Sequence, residues 1–166
     1  AETSFIINNV SGEYRYYKLW ISDVWGLHSE SNIELGVGYI LFTNTFYHSN
    51  NAYGRSVEQT TDGGFIAVGD ILSNENDHYD FWLIKTDPYG NEEWNHTFGG
   101  SVQEYVQFAK QTIDDGFVIV GSTSSIGNGS TDVWLIKTDS QGNEEWNQTY
   151  GGNKGESGNY VQQTID

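Results

Sequence analysis

The sequence predicts an all-β fold of repeated four-stranded antiparallel sheets, and three observations support this prediction. First, the chain repeats with a period of 52 residues, since Thr60–Gly69 returns as Thr112–Gly121 with the same turn and a similar apolar run. Second, 36% hydrophobic and 15% aromatic residues with 20 Gly favour a turn-rich β-protein over a helical bundle or a disordered chain. Third, short β-branched and aromatic segments alternate with glycine turns. A fixed period of this length is typical of stacked supersecondary units.

Two apolar strands open each complete repeat. Phe65–Ile71 and Phe117–Thr123 are β-branched and follow a turn that contains Asp and Gly. Phe81–Thr86 and Val133–Thr138 are apolar at almost every position, which is typical of a strand that lies between two layers.

A hairpin loop and a return strand come next. The loops Asp87–Asn91 and Asp139–Asn143 each contain a glycine, which supplies the positive φ that a short bulged turn requires. The return strands are Glu92–Phe98 and Glu144–Tyr150.

This hairpin register predicts two cross-strand ion pairs. Lys85 is placed opposite Glu93, and Lys137 is placed opposite Glu145. Each pair is expected to contribute roughly 0.2–1 kcal/mol.

A fourth strand follows in each repeat, near Tyr105–Thr112 and again near Tyr160–Ile165. Four short antiparallel strands in a repeat of this length predict the blade of a β-propeller.

The first 50 residues contain weaker traces of the same pattern. Phe42–Phe46 lies 52 residues before Trp94–Phe98, while Asp23–Trp25 and Phe5–Ile7 are similar in type to strands of the second complete repeat. We interpret this part as a degenerate blade with two small insertions; an unrelated N-terminal β-segment is the alternative. The predicted division is 1–53 for this segment, 54–104 and 105–157 for the two repeats, and 158–166 for the first strand of a further blade or a strand donated to a neighbour.

About three blades cannot close a ring, because propellers close with roughly four to eight. Two explanations stay open. Copies could join head to tail, each C-terminal strand completing the first blade of its neighbour, or the sequence could be an excerpt of a longer propeller protein. The chain begins at Ala1 and contains no Met, which indicates either processing, such as removal of a signal peptide, or an excerpt.

The repeated motifs resemble a family of β-propeller repeats that is common in secreted and cell-surface proteins of archaea and some bacteria. The motifs read Thr-x-Asp-Gly-Gly-Phe-Ile, Asp-x-Trp-Leu-Ile-Lys-Thr-Asp-x-x-Gly-Asn and Trp-x-x-Thr-Phe-Gly-Gly. The matching segments are Ser56–Ile66, Asp80–Asn91 and Trp94–Gly100 in the first copy, and Gln111–Ile119, Asp132–Asn143 and Trp146–Gly152 in the second. The resemblance implies a propeller, usually part of a large extracellular protein, and it implies no common catalytic activity. Residues 1–50 depart from the motifs.

Charge restricts the class of partner. Seven Lys and Arg against 23 Asp and Glu give a net charge of -16, so a nucleic acid is disfavoured by repulsion. The acidity is explained by solubility, or alternatively by saline surroundings or weak Ca²⁺ binding. With no Cys, thiolate chemistry and Cys-ligated metals are excluded, and no apolar run is long enough to predict a membrane span.

Aromatic residues fall into two groups. Four Trp recur at fixed positions in the repeats and are predicted to pack in the core between blades: Trp82, Trp94, Trp134 and Trp146. Aromatic residues of this kind are more often buried than exposed. The irregular N-terminal segment nevertheless supplies five candidates for an exposed aromatic binding surface: Tyr14, Tyr16, Tyr17, Trp20 and Trp25.

Other candidate sites are polar. Four Asn-x-Ser/Thr sequons permit N-glycosylation of an exported chain: Asn9, Asn95, Asn128 and Asn147. The loop Asn74–Asp80 is rich in oxygen ligands, but a solvated connector explains it better than a cation site. The four His are scattered without metal-site spacing, and no catalytic motif is present, so we expect neither a metal nor another cofactor, and no enzymatic activity.

Three functional hypotheses follow. The leading one is a non-enzymatic extracellular or cell-surface propeller module with a structural, adhesive or self-assembly role, whose partners are further copies or the remainder of a longer chain. The second is a propeller that binds carbohydrate through the N-terminal aromatic segment. The third, ranked last, is a propeller oxidoreductase or polysaccharide-cleaving enzyme that uses a central channel.

Overall fold

The computed structural model describes residues 15–21, 31–37, 40–46, 51–73 and 78–164, which form an all-β structure with no helix in that part of the chain. Eleven strands form three antiparallel sheets. Sheet 1 contains β1 (Arg15–Ile21), β2 (Ser31–Val37) and β3 (Ile40–Phe46). Sheet 2 contains β4 (Ala52–Gln59), β5 (Phe65–Leu72), β6 (Tyr79–Thr86) and β7 (Glu92–Phe98). Sheet 3 contains β8 (Glu104–Gln111), β9 (Phe117–Thr123), β10 (Asp132–Thr138) and β11 (Glu144–Tyr150).

Sheets 2 and 3 are four-stranded, and their strands lie in sequence order. The predicted strands therefore form, with bounds that agree within two residues at β5, β6 and β10 and fully at β7, β9 and β11. The fourth predicted strand is β8, which pairs with β9 and opens the following sheet. The described residues form no closed ring of sheets.

The predicted register of the hairpin lysines is wrong by one residue. Lys85 pairs across the ladder with Trp94, and Thr86 pairs with Glu92, because Glu93 is the extra residue of a β-bulge. The bulge turns the Glu93 carboxylate back to the Lys85 ammonium at 2.9 Å, so the predicted ion pair forms without the predicted alignment. The second hairpin has the same bulge, and its Lys137–Glu145 pair is 3.0 Å long.

Lys85 also stabilises the turn of the first motif, which contains Asp62. Its buried ammonium contacts Asp62 at 2.8 Å and donates to the Thr86 carbonyl at 2.8 Å. Burial alone would raise the pKa of Asp62, but hydrogen bonds, first from Lys85, lower it to about 2. A Cβ atom at Gly64 would overlap the Thr86 carbonyl, so the turn requires glycine where the chain passes over this lysine.

The main core lies between sheets 2 and 3. The backbone of sheet 3 comes closest to sheet 2 along β8, which lies against β4, β5 and β6. Phe81 and Trp134 pack across this interface with ring centroids 5.0 Å apart. The buried members of this core are Ile66, Val68, Phe81, Leu83, Val106, Ala109, Phe117, Ile119, Trp134 and Ile136.

A second core covers the other face of sheet 2. Ala67, Trp82 and Ile84 belong to it, and Phe46 of β3 packs against them. Sheet 2 therefore has apolar clusters on both faces, as its doubly apolar strand predicted.

One further strand prediction needs correction. Residues 160–164 form no ladder, because the described chain has no strand beside them. In the N-terminal part, the predicted segment Phe42–Phe46 lies within β3, which pairs with β2 in a short hairpin. Phe5–Ile7 and Asp23–Trp25 lie outside the described residues.

Candidate functional site

The outer strands of sheets 2 and 3 have equivalent sequences but different surroundings. On β7, the alternate residues Trp94, His96 and Phe98 are half-buried. On β11, Trp146 and Tyr150 occupy equivalent positions and are 46% and 56% exposed. One face of sheet 2 is therefore covered along its whole width, while the corresponding face of sheet 3 is open at its outer edge.

Sheet 3 provides the cover over β7. The Trp94 ring contacts Phe117 edge-on with centroids 5.6 Å apart, and His96 Nε2 lies 2.9 Å from the Gln141 carbonyl oxygen. Within the described residues no equivalent sheet lies over β11. The prediction that Trp146 is a core residue is therefore wrong for this chain.

The other three repeat tryptophans do pack as predicted. Trp82 and Trp134 are 6% and 5% exposed, and Trp94 packs against the main core.

The C-terminal segment 156–164 lies across the open face of sheet 3 and repeats contacts that β8 makes with sheet 2. The Thr61 N–H donates to Gln111 Oε1 at 2.8 Å, and the Ile113 N–H donates to Gln163 Oε1 at 2.9 Å. Donors and acceptors in the two bonds are 52 residues apart, so this contact follows the period of the repeat.

A second contact follows the same period. The Gly100 N–H donates to Glu104 Oε2 at 3.0 Å, and the Gly152 N–H donates to Glu156 Oε2 at 3.0 Å. The segment is held further by a ring contact between Tyr160 and Phe108, whose centroids are 4.7 Å apart. It therefore docks as a β8 equivalent even though it has no ladder partner.

A second candidate surface is a row of three tyrosines at one end of sheets 2 and 3. Tyr53, Tyr79 and Tyr105 lie at or next to the first residues of β4, β6 and β8, so all three are at the end away from the glycine turns. Ring centroids are 5.6 Å apart for Tyr53–Tyr79 and 6.2 Å apart for Tyr79–Tyr105. We call these residues the tyrosine row.

Polar groups surround the tyrosine row. Gln103 Oε1 accepts the Tyr79 N–H at 3.0 Å, and Gln103 Nε2 lies 3.1 Å from His78 Nδ1. Burial, and then the neighbouring Tyr53, raise the pKa of the Tyr79 hydroxyl to about 12. The hydroxyl thus stays protonated at any physiological pH.

Two carboxyl groups meet next to this row. Glu104 is fully buried, and it accepts hydrogen bonds from the Gly100 N–H at 3.0 Å and the Thr123 hydroxyl at 2.9 Å. Burial, and then the Glu104 carboxylate, raise the pKa of Asp80 to about 6. Asp80 Oδ1 is buried and has no hydrogen-bond partner within the described part of the chain.

A third carboxylate joins the two sheets. Asp70 of β5 is fully buried, forms an ion pair with Arg55, and accepts the Val106 N–H of β8 at 2.9 Å. Burial raises the pKa of Asp70, while Arg55 and the Val106 N–H oppose that rise. This carboxylate therefore positions β8 and the end of sheet 3 that carries Tyr105.

The predicted glycosylation sites differ in how their amides are used. Asn95 accepts the Trp82 indole N–H at 3.4 Å and donates to Glu92 at 2.6 Å, and Asn147 makes the equivalent bonds. Their side chains thus have a structural role in each repeat. Asn128 is exposed in the loop before β10, and Asn9 lies outside the described residues.

The predicted N-terminal aromatic surface is described only in part. Tyr16, Tyr17 and Trp20 lie on β1, and Tyr14 and Trp25 lie outside the described residues. The polar loop is described only at its end, from His78 to Asp80.

Sequence reasoning missed the tyrosine row and the Asp80–Glu104 pair. The signal for the row was twofold: Tyr53 returns one period later as Tyr105, and Tyr79 departs from the repeat because its equivalent is Thr131.

Across the described segments no cluster of three or more His, Cys, Asp or Glu is placed to hold a metal ion. In the same segments no helix is long and apolar enough to cross a membrane. Comparison with protein-family models gave no match, and comparison with curated proteins gave none.

Proposed function

We propose that this chain is a non-enzymatic extracellular or cell-surface module of β-propeller blades that assembles with further copies of itself through the open face of sheet 3. The observation that carries the proposal is the docking of residues 156–164, which place on sheet 3 the contacts that β8 places on sheet 2. Residues 156–164 already cover part of this face of sheet 3 with the contacts of the repeat. The rest of the face is therefore suited to coverage by another sheet of the same kind.

Exposed side chains define what the incoming sheet would bury. Trp146 and Tyr150 are the equivalents of Trp94 and Phe98, which are half-buried by contact with sheet 3. Tyr160 is 59% exposed on the docked segment. Large exposed aromatic groups of this kind are typical of interaction surfaces in soluble proteins.

The proposed occupant is a second copy, and the sequence gives the reason. In sheet 3, β8 pairs with β9, so a docked β8 equivalent requires a strand that is similar to Phe117–Thr123. Phe5–Ile7 near the start of the chain is similar in type to the first residues of that strand. A head-to-tail contact would therefore supply the missing ladder, and such heterologous contacts form closed rings or open filaments.

The extracellular location and the structural role are supported by the resemblance of the repeats to secreted and cell-surface propellers. The net charge of -16 is compatible with this role and disfavours a nucleic-acid partner.

Sedimentation velocity over a wide range of protein concentration tests the proposal. We expect oligomers whose population increases with concentration, and we expect Trp146→Glu to shift them to monomer because it places a charge on the buried contact. Tyr89→Glu is the matched control, since Tyr89 is 65% exposed in the loop between β6 and β7 of sheet 2. A wild-type chain that stays monomeric at every concentration, or a Trp146→Glu variant that assembles like wild type, would refute the proposal.

A further inference from the structure

We propose that the tyrosine row of Tyr53, Tyr79 and Tyr105 binds a neutral saccharide. This inference goes beyond assembly, because the row lies at one end of sheets 2 and 3, whereas the assembly contact lies on the open face of sheet 3. It concerns a different surface from the N-terminal aromatic segment that the sequence predicted.

The repeat itself indicates that these rings are not required for stacking. Tyr53 and Tyr105 are equivalent positions one period apart, but the next equivalent is Ser157 and the equivalent of Tyr79 is Thr131. The contacts of residues 156–164 with sheet 3 therefore form without aromatic rings at these positions. Tyr105 is 38% exposed although it belongs to a strand in the middle of the structure. Three aromatic residues at an accessible end of two sheets are therefore explained better by a ligand than by the core.

The geometry of the row selects the way in which a ligand can bind. Each ring already contacts its neighbour, with centroids 5.6 Å and 6.2 Å apart, so no gap between rings can hold an ammonium group as an aromatic cage does. The Tyr79 and Tyr105 rings are inclined to each other by 30°. A ligand must then lie along the row and stack on its exposed faces, as the apolar face of a sugar chain does.

The charges around the row select a neutral ligand. Arg55, which lies on the same strand as Tyr53, is paired with Asp70. Asp80 and Glu104 place carboxyl groups close by, and the chain has a net charge of -16, so anionic sugars would be repelled.

Hydrogen-bonding groups of the right kind lie beside the rings. The amide of Gln103 and the phenolic hydroxyl of Tyr79 can donate and accept without a net charge, which suits the hydroxyl groups of a sugar. Aromatic surface with a few convergent polar groups is the usual composition of a small-molecule site.

Affinity electrophoresis in gels that contain a polysaccharide tests this inference. The probes are hydroxyethyl cellulose, mannan, dextran and β-glucan as neutral chains, and alginate and heparin as anionic ones. We expect at least one neutral polysaccharide to retard the protein, and Tyr105→Ala to weaken that binding at least about fivefold through loss of a stacking face.

Two variants serve as controls. Tyr89→Ala removes a tyrosine that is 65% exposed at the opposite end of sheet 2, and it should bind like wild type. Trp20→Ala tests the N-terminal aromatic segment, and it should also bind like wild type. Each variant is first shown to have an unchanged melting temperature.

Three results would overturn the inference: retardation by no neutral polysaccharide, retardation by the anionic polysaccharides alone, or a Tyr105→Ala variant that binds as well as wild type. Loss of binding in Trp20→Ala alone would also overturn it. None of these results affects the assembly proposal, which is measured by sedimentation.

Discussion

Replacing Asp80 by Asn should stabilise the protein, and the gain should depend on pH. The Asp80 carboxyl is held against the buried Glu104 carboxylate, and burial together with this neighbour raises its pKa from 3.8 to about 6. A difference of that size corresponds to at most about 3 kcal/mol. Because Asp80 is only partly buried, solvent screening reduces the expected effect to about 1–2 kcal/mol.

The direction of the pH dependence follows from the raised pKa. The protonated carboxyl stabilises the fold fully below about pH 4, and this contribution is lost as the pH rises through about 6. An Asn amide does not ionise and can donate a hydrogen bond to Glu104. The free energy of unfolding of Asp80→Asn should therefore exceed that of wild type by about 1–2 kcal/mol at pH 8, and by about half as much at pH 5.

Urea unfolding followed by tryptophan fluorescence, at several pH values between 5 and 8 and one protein concentration, measures both quantities. Asp132→Asn is the matched control at the equivalent position, where Asp132 Oδ2 accepts the Asn128 N–H at 2.8 Å, and we expect no gain there at pH 8. Among the described residues, His78 also acts on the Asp80 carboxyl, so the profiles are repeated with His78→Gln. The reasoning fails if Asp80→Asn destabilises the protein at pH 8, or if its gain is the same at every pH.

The remaining predictions concern single side chains and are measured by the same unfolding assay. Asp115→Gly should stabilise by about 0.5–1 kcal/mol, because Asp115 has a left-handed backbone (φ 63°) where the other repeat has glycine; a loss of stability would contradict this strain. Removing both carboxylates around Lys85, with Asp62→Asn and Glu93→Gln, should cost about 3–5 kcal/mol, since the lysine side chain is 5% exposed. Lys85→Met should cost only about 1 kcal/mol, because water can solvate carboxylates that are 54% and 45% exposed; equal costs would contradict this asymmetry. Trp134→Ala should cost about 3–5 kcal/mol as a buried core residue, and a cost under about 1 kcal/mol would contradict the placement of the core between sheets 2 and 3.

The period of the sequence determined most of the strands of sheets 2 and 3, their sequential order within these sheets, and the buried tryptophans Trp82 and Trp134. These features could be predicted because they depend on local alternation, turn glycines and repeated motifs, which are visible in a single chain. The Lys85–Glu93 ion pair was predicted for the same reason, but its register was not, since a bulge is decided by how the turn closes.

Only the tertiary structure decided which repeated residues are covered. Trp94 and Trp146 have the same local sequence, yet one is packed under sheet 3 and the other is 46% exposed, because burial depends on the neighbouring sheet and not on the strand itself. The same holds for Tyr53, Tyr79 and Tyr105, which are 26 residues apart in sequence and meet only because the strands that carry them begin at the same end of two stacked sheets. A repeat specifies each unit locally, whereas a site between units requires the packing that brings distant strand ends together.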